Sequence, residues 1–161
     1  MTTSIVDVVR HAGGWLFDQA MAGWEVTALV TTQQDVRPLQ ILGVKVVELE
    51  TTLVGPPRCP AALGVTTEIY LADDRVRYSV RRALKGGWPE VTFWGKDLPN
   101  ELGHRVTPQH HQLSSAARIF KGYALAAAAV PNESVEVVER FCAPVHNPRT
   151  GVGPQLRSLI L

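Results

Sequence analysis

What most constrains this chain is a succession of short, β-branched, mostly apolar runs set off by glycine, proline or aspartate and separated by stretches with helical spacing. The runs are Glu25–Val30, Val44–Leu49, Thr66–Leu71 and Glu90–Trp94. Their length and composition predict strands buried on both faces, and strands that alternate with helices through short connections build parallel α/β units.

The intervening stretches predict the helices. Ile5, Val8, Val9, Ala12, Trp15 and Leu16 recur on one helical face, and Ser4 with Asp7 forms a capping box, so a helix is expected over residues 5–22. Gly13 and Gly14 inside it cost about 2 kcal/mol relative to alanine. The competing parse makes Ser4–Val9 a strand followed by a loop. A helical turn over Val36–Leu42 is ended by Gly43. Asp73 or Asp74 caps a helix whose inner stripe is Val76, Val80, Ala83 and Leu84, so residues 66–94 form a βαβ unit. A last helix starts at Ser114 or Ser115, with Leu113, Ala116, Ala117, Phe120, Ala124 and Ala127 inward, and Pro131 ends it. A short element follows from Asn132 or Ser134 to about Phe141. Residues 53–64 and 95–111 are rich in proline, glycine and polar residues and are expected as loops. Leu156–Leu161 is apolar enough for an edge strand or a docked terminus.

The expected fold is a single α/β domain over residues 1–161, a three-layer sandwich around a small, mainly parallel sheet of four or five strands. An irregular C-terminal tail occupies about residues 143–161. In element order alone the outline resembles Rossmann-like and flavodoxin-like folds, which does not give a function.

Composition narrows the function classes. A hydrophobic content of 45% over 161 residues supports a core without staples. A net charge of +1 supplies no global field toward nucleic acid or acidic membrane, so nucleic acid is the least expected partner and no membrane is expected. Cys59 and Cys142 form no CxxC pattern and are too few for a disulfide framework, which fits a reducing compartment. Asp7 and Arg10 interrupt the N-terminal apolar pattern, unlike a signal peptide, and the longest apolar run, Ala124–Val130, is too short to span a bilayer. A soluble, cytoplasmic protein is expected.

No phosphate loop, GxGxxG, HExxH, GxSxG or EF-hand motif is present, so no motif names a cofactor or a reaction. His104, His110 and His111, with Glu101 or Asp97, are weak candidates for metal ligation or general base chemistry, because histidine titrates near neutrality and ligates metals. In a parallel sheet, ligands sit at the carboxyl ends of the strands. That rule selects Thr31, Thr32, Asp35, Asp74 and Lys96 for binding and Asp73 and Asp97 for catalysis, and His104, in the loop that would act as a lid there, is a further catalytic candidate. Asp35, Asp73 and Asp74 are also natural helix caps. Arg77, Arg81 and Lys85 share a stripe flanked by Arg75 and Arg82, which could hold phosphates or could be a solvated face. Trp24 and Trp88 stand just before strands and are candidates for a partner surface.

The leading expectation is a non-catalytic binding or regulatory module that recognises another protein or its own copy. A small enzyme or small-molecule binder with a pocket at the strand ends is the alternative. A phosphate or nucleic-acid binder using the arginine-rich helix comes third.

Overall fold

Helix α1 (Ile5–Met21) runs continuously through Gly13 and Gly14 in the computed structural model, which describes residues 4–30, 35–48, 60–86, 89–95, 102, 106–144 and 158–161. The Ser4 hydroxyl accepts the Asp7 N–H at its start. There follow β1 (Glu25–Val30), α2 (Arg37–Ile41), β2 (Lys45–Glu48), β3 (Ala62–Thr66), α3 (Thr67–Ala72) and α4 (Asp74–Gly86). The remaining elements are β4 (Glu90–Trp94), β5 (Val106–Gln112), α5 (Ser115–Ala127), β6 (Val138–Pro144) and β7 (Ser158–Ile160).

The strands form one seven-stranded mixed sheet in the order β2-β1-β7-β3-β4-β6-β5. This corrects the expected small, mainly parallel sheet of four or five strands. The strands from β2 to β4 in that order pair in parallel, whereas β6 is antiparallel to both β4 and β5. The three additional strands come from segments that do not look like buried strands. β5 reads Val-Thr-Pro-Gln-His-His-Gln and is mostly exposed, so local composition marked it as loop. β6 takes the place of the short element expected before Phe141. The terminal segment is not an edge strand: β7 lies between β1 and β3, and Leu161 exchanges backbone hydrogen bonds of 2.8 Å with Thr27 and Leu29.

A boundary also moves. Thr66–Leu71 has strand-like residues, yet Thr66 ends β3 and its hydroxyl accepts the Ile69 N–H at 3.2 Å, so the chain turns helical at Thr67. Capping chemistry overrides β-propensity here. The expected βαβ unit becomes β3-α3-α4-β4, with β3 and β4 still parallel.

Period-two alternation gives the sheet an apolar core on each face. On one face Val26, Ala28, Leu159, Leu161, Trp94 and Phe141 pack with α1, α2 and α5. On the other, Leu63, Val65, Val91 and Phe93 pack with Ile69, Tyr70, Val76, Val80 and Ala83 of α3 and α4. Gly64 is required by close approach, because a Cβ there would lie 2.7 Å from Leu161 Cδ2 and Trp94 Cζ3. Cys59, residues 53–59 and residues 145–157 of the expected tail lie outside the described residues.

Candidate functional site

Helix α5 is oriented against its amino-acid pattern. Lys121 is 3% exposed, while Ile119, Phe120 and Tyr123 beside it are 57%, 39% and 62% exposed. Ala117 and Ala124 are buried as expected, but Ala116 and Phe120, expected beside them, face outward, and Lys121 and Leu125 are buried in their place.

The buried lysine explains the rotation. Lys121 Nζ lies 2.7 Å from Glu139 Oε1 of β6 and donates to the Arg10 carbonyl of α1 at 2.6 Å. The Glu139 carboxylate accepts the backbone N–H of Gly14 at 2.9 Å and of Trp15 at 2.8 Å. Gly14 N–H and Arg10 C=O stand four residues apart, the spacing of helix pairing. Here each carries a charged side-chain partner from another element. Gly14 admits Leu113 beside this seam, since a Cβ there would lie 2.4 Å from both methyls of Leu113. Around this seam, Arg10 forks onto Glu133 through two bonds of 2.5 and 2.8 Å and also reaches Asp7. The hydrogen bond from Arg10, with its charge, holds the Glu133 carboxyl below its usual range.

Because Lys121 faces inward, the outer surface of α5 from Ile119 to Ala127 carries no exposed charge, and Arg118 is the helix's only exposed charged residue. Phe120 stacks on Phe17 of α1 with centroids 4.6 Å apart, and Tyr123 meets Phe120 edge-on at 6.3 Å. Met21 follows Phe17 by one turn and is 67% exposed. The result is an aromatic and aliphatic face made by two adjacent helices.

Two clefts are also present. One, of about 290 Å³, lies at the carboxyl ends of β3 and β4 and is lined by Asp7, His11, Thr66, Glu68, Trp94 and Gly95. Trp94 is buried, and its Nε1 has no hydrogen-bond partner among the described residues. The other, of about 220 Å³, lies near the opposite ends of the parallel strands, where Trp15, Trp24, Phe141, Glu90, His110 and His111 line it. Behind it, His111 Nε2 lies 2.8 Å from Asp18 Oδ2, which also accepts the Ser114 N–H. Burial opposes ionisation of Asp18, but hydrogen bonds from Ser114 and His111 outweigh it and hold its pKa below the usual value.

The sequence candidates separate accordingly. Asp35 accepts the Arg37 N–H at 3.1 Å and pairs with the Arg37 side chain, at the start of α2. Asp73 accepts the Arg75 N–H at 2.8 Å and pairs with its guanidinium, and Asp74 pairs with Arg77. Arg81 is likewise engaged, and it and Lys85 lie on the exposed face of α4. None of these residues lines either cleft. Trp24, His110 and His111 do come together, in the smaller cleft, and the histidines stand on strand β5 and not on a loop. Among the described residues no three His, Cys, Asp or Glu side chains converge as a metal site. Thr31, Thr32, Trp88, Lys96, Asp97, Glu101 and His104 lie outside the described residues.

Sequence reasoning missed Asp18, Lys121 and Glu139, and also Asp7 and His11 in the larger cleft. One local signal existed: a lysine on the inner stripe of an otherwise alanine-rich helix, matched by two glycines in a helix elsewhere. Comparisons with protein-family models, curated proteins and solved structures return no match. No helix among the described residues is long and apolar enough to cross a membrane.

Proposed function

We propose that this protein is a non-catalytic binding module, of cytoplasmic type and three-layer build, that acts by self-association, with two copies docking through the α1/α5 face. The observation that carries this reading is the exposure of Ile119, Phe120 and Tyr123 on a helix that buries its lysine. Exposing three large apolar side chains while desolvating a charge is unfavourable in an isolated monomer. A chargeless apolar patch is complementary to itself across a two-fold axis, and a net charge of +1 adds little repulsion between copies. A standard interface buries about 800 Å² per partner, so side chains around this patch must join it.

Sedimentation or light scattering across a concentration series tests the proposal. A concentration-dependent dimer is expected, and the double variant Ile119→Lys/Tyr123→Lys should weaken association at least tenfold, about 1.4 kcal/mol, with little change in melting temperature. A monomer at every concentration would overturn the reading.

A second reading, a small-molecule binder, is favoured by the cleft at the carboxyl ends of β3 and β4, the place where parallel sheets seat ligands. Trp94→Phe removes the indole N–H and keeps an aromatic ring. Any ligand found to bind there should lose affinity in that variant, and unchanged affinity would count against the site.

A further inference from the structure

The smaller cleft has a composition that selects one class of ligand. Its walls are Trp15 and Phe141, in contact with centroids 5.0 Å apart and planes tilted by 49°, together with Trp24. Among the described residues no lysine or arginine lines it. Glu90, at the first position of β4, is the only carboxylate lining it among the described residues, and its side chain has no hydrogen-bond or ion-pair partner among them. The two histidines His110 and His111 also line the cleft, and His111 Nε2 is already engaged by Asp18. The fixed charge in and behind the cleft is therefore negative, and the surfaces around it are aromatic faces.

Aromatic faces carry negative quadrupole potential and attract cations within about 6 Å of the ring centroid. An unpaired carboxylate beside them supplies the counter-charge that an anionic ligand would find repulsive. The volume, about 220 Å³, lies below the usual lower limit of about 300 Å³ for drug-sized sites, so the occupant must be compact. We propose that this cleft is a binding site for a small organic cation, of the quaternary or alkyl-ammonium class, held against Trp15, Trp24 and Phe141 and neutralised by Glu90. The site is separate from the proposed self-association face, because none of Ile119, Phe120, Tyr123 or Met21 lines it.

Choline serves as the probe, with its uncharged isostere, in which a tert-butyl group replaces trimethylammonium, as the control at matched ionic strength. Binding is followed through the tryptophan indole N–H resonances of the whole protein. Choline should shift the Trp15 and Trp24 signals saturably, and the isostere should bind at least about fivefold more weakly, the factor expected for a cation–aromatic contribution of about 1 kcal/mol. Glu90→Gln should weaken choline by a similar factor, and Trp24→Leu, which keeps apolar bulk but removes the aromatic face, should weaken choline more than the isostere. Both substitutions are at exposed or half-buried positions, so folding can be verified from the rest of the spectrum. Equal affinity for choline and its isostere, no saturable shift with choline, or unchanged affinity in Glu90→Gln would each overturn the proposal.

Discussion

Helices α4 and α5 are both thirteen residues long, and they place their charges in opposite ways. α4 buries Val76, Val80 and Ala83 and turns its arginines to solvent, as its amphipathic pattern requires. α5 buries Lys121 and turns Ile119, Phe120 and Tyr123 outward. The difference teaches that α4 is organised by burial of apolar area, whereas α5 is organised by one polar connection to α1 and β6. Satisfying Gly14 N–H, Trp15 N–H and Arg10 C=O through Glu139 and Lys121 fixes the rotation of α5, and its aromatic side chains go where that rotation leaves them.

The comparison breaks most sharply at Lys121. Lys121→Met should destabilise the fold by about 3–5 kcal/mol, because Glu139 is left buried without its counter-ion. Arg82→Met on the exposed face of α4 should change stability by no more than about 0.5 kcal/mol. Denaturant unfolding reads both, and comparable costs would show that the seam does not organise α5. The double variant Lys121→Met/Glu139→Met should recover only part of the loss, since three backbone groups of α1 lose their charged side-chain partners. Full recovery would reduce the seam to a replaceable ion pair. In α4 the corresponding change is apolar: Val80→Ala removes buried methyls at a fully buried site and should cost about 2 kcal/mol, with no polar group orphaned.

The same contrast explains how much could be read in advance. α4 and its Asp73 cap, α2 with its Gly43 stop, and α1 through its glycines were legible because their determinants lie within one or two turns. The glycine pair weakened the case for α1 on propensity alone, and only the approach of Leu113 and Glu139, about a hundred residues later, supplies its reason. The rotation of α5 depends on a pairing between Lys121 and Glu139 that periodicity within the helix cannot contain. β5 and β7 are similar cases: a histidine- and glutamine-rich segment becomes a strand because β6 pairs with it, and a short terminal segment becomes central because β1 and β3 leave a lane between them. Of the site candidates among the described residues, Asp35, Asp73 and Asp74 proved to be paired with arginines near helix starts, while Trp24, His110 and His111 assembled only through the sheet order.

The smallest expected effect lies at the start of α4 and sharpens the comparison through pH. The side-chain hydrogen bond from Arg75, with its backbone N–H and charge, pulls the Asp73 carboxyl down to about 2 against partial burial. In the unfolded chain the same group titrates near about 3.9. Unfolding therefore takes up a proton between those values: the contribution is fully present above about pH 5 and is lost as pH falls from about 4 toward 2. Arg75 is largely solvated, so screening reduces the contribution to about 1 kcal/mol. Asp18 and Glu133, both held below their usual values, add slopes of the same sign. Stability measured by chemical denaturation from pH 6 to 2.5 should therefore fall, and Asp73→Asn should be less stable than the parent near pH 6 by about 1 kcal/mol and converge with it at the acid end. Parallel curves for the two proteins would mean that the Asp73–Arg75 pair is not formed in solution, and α4 would then rest on its apolar stripe alone.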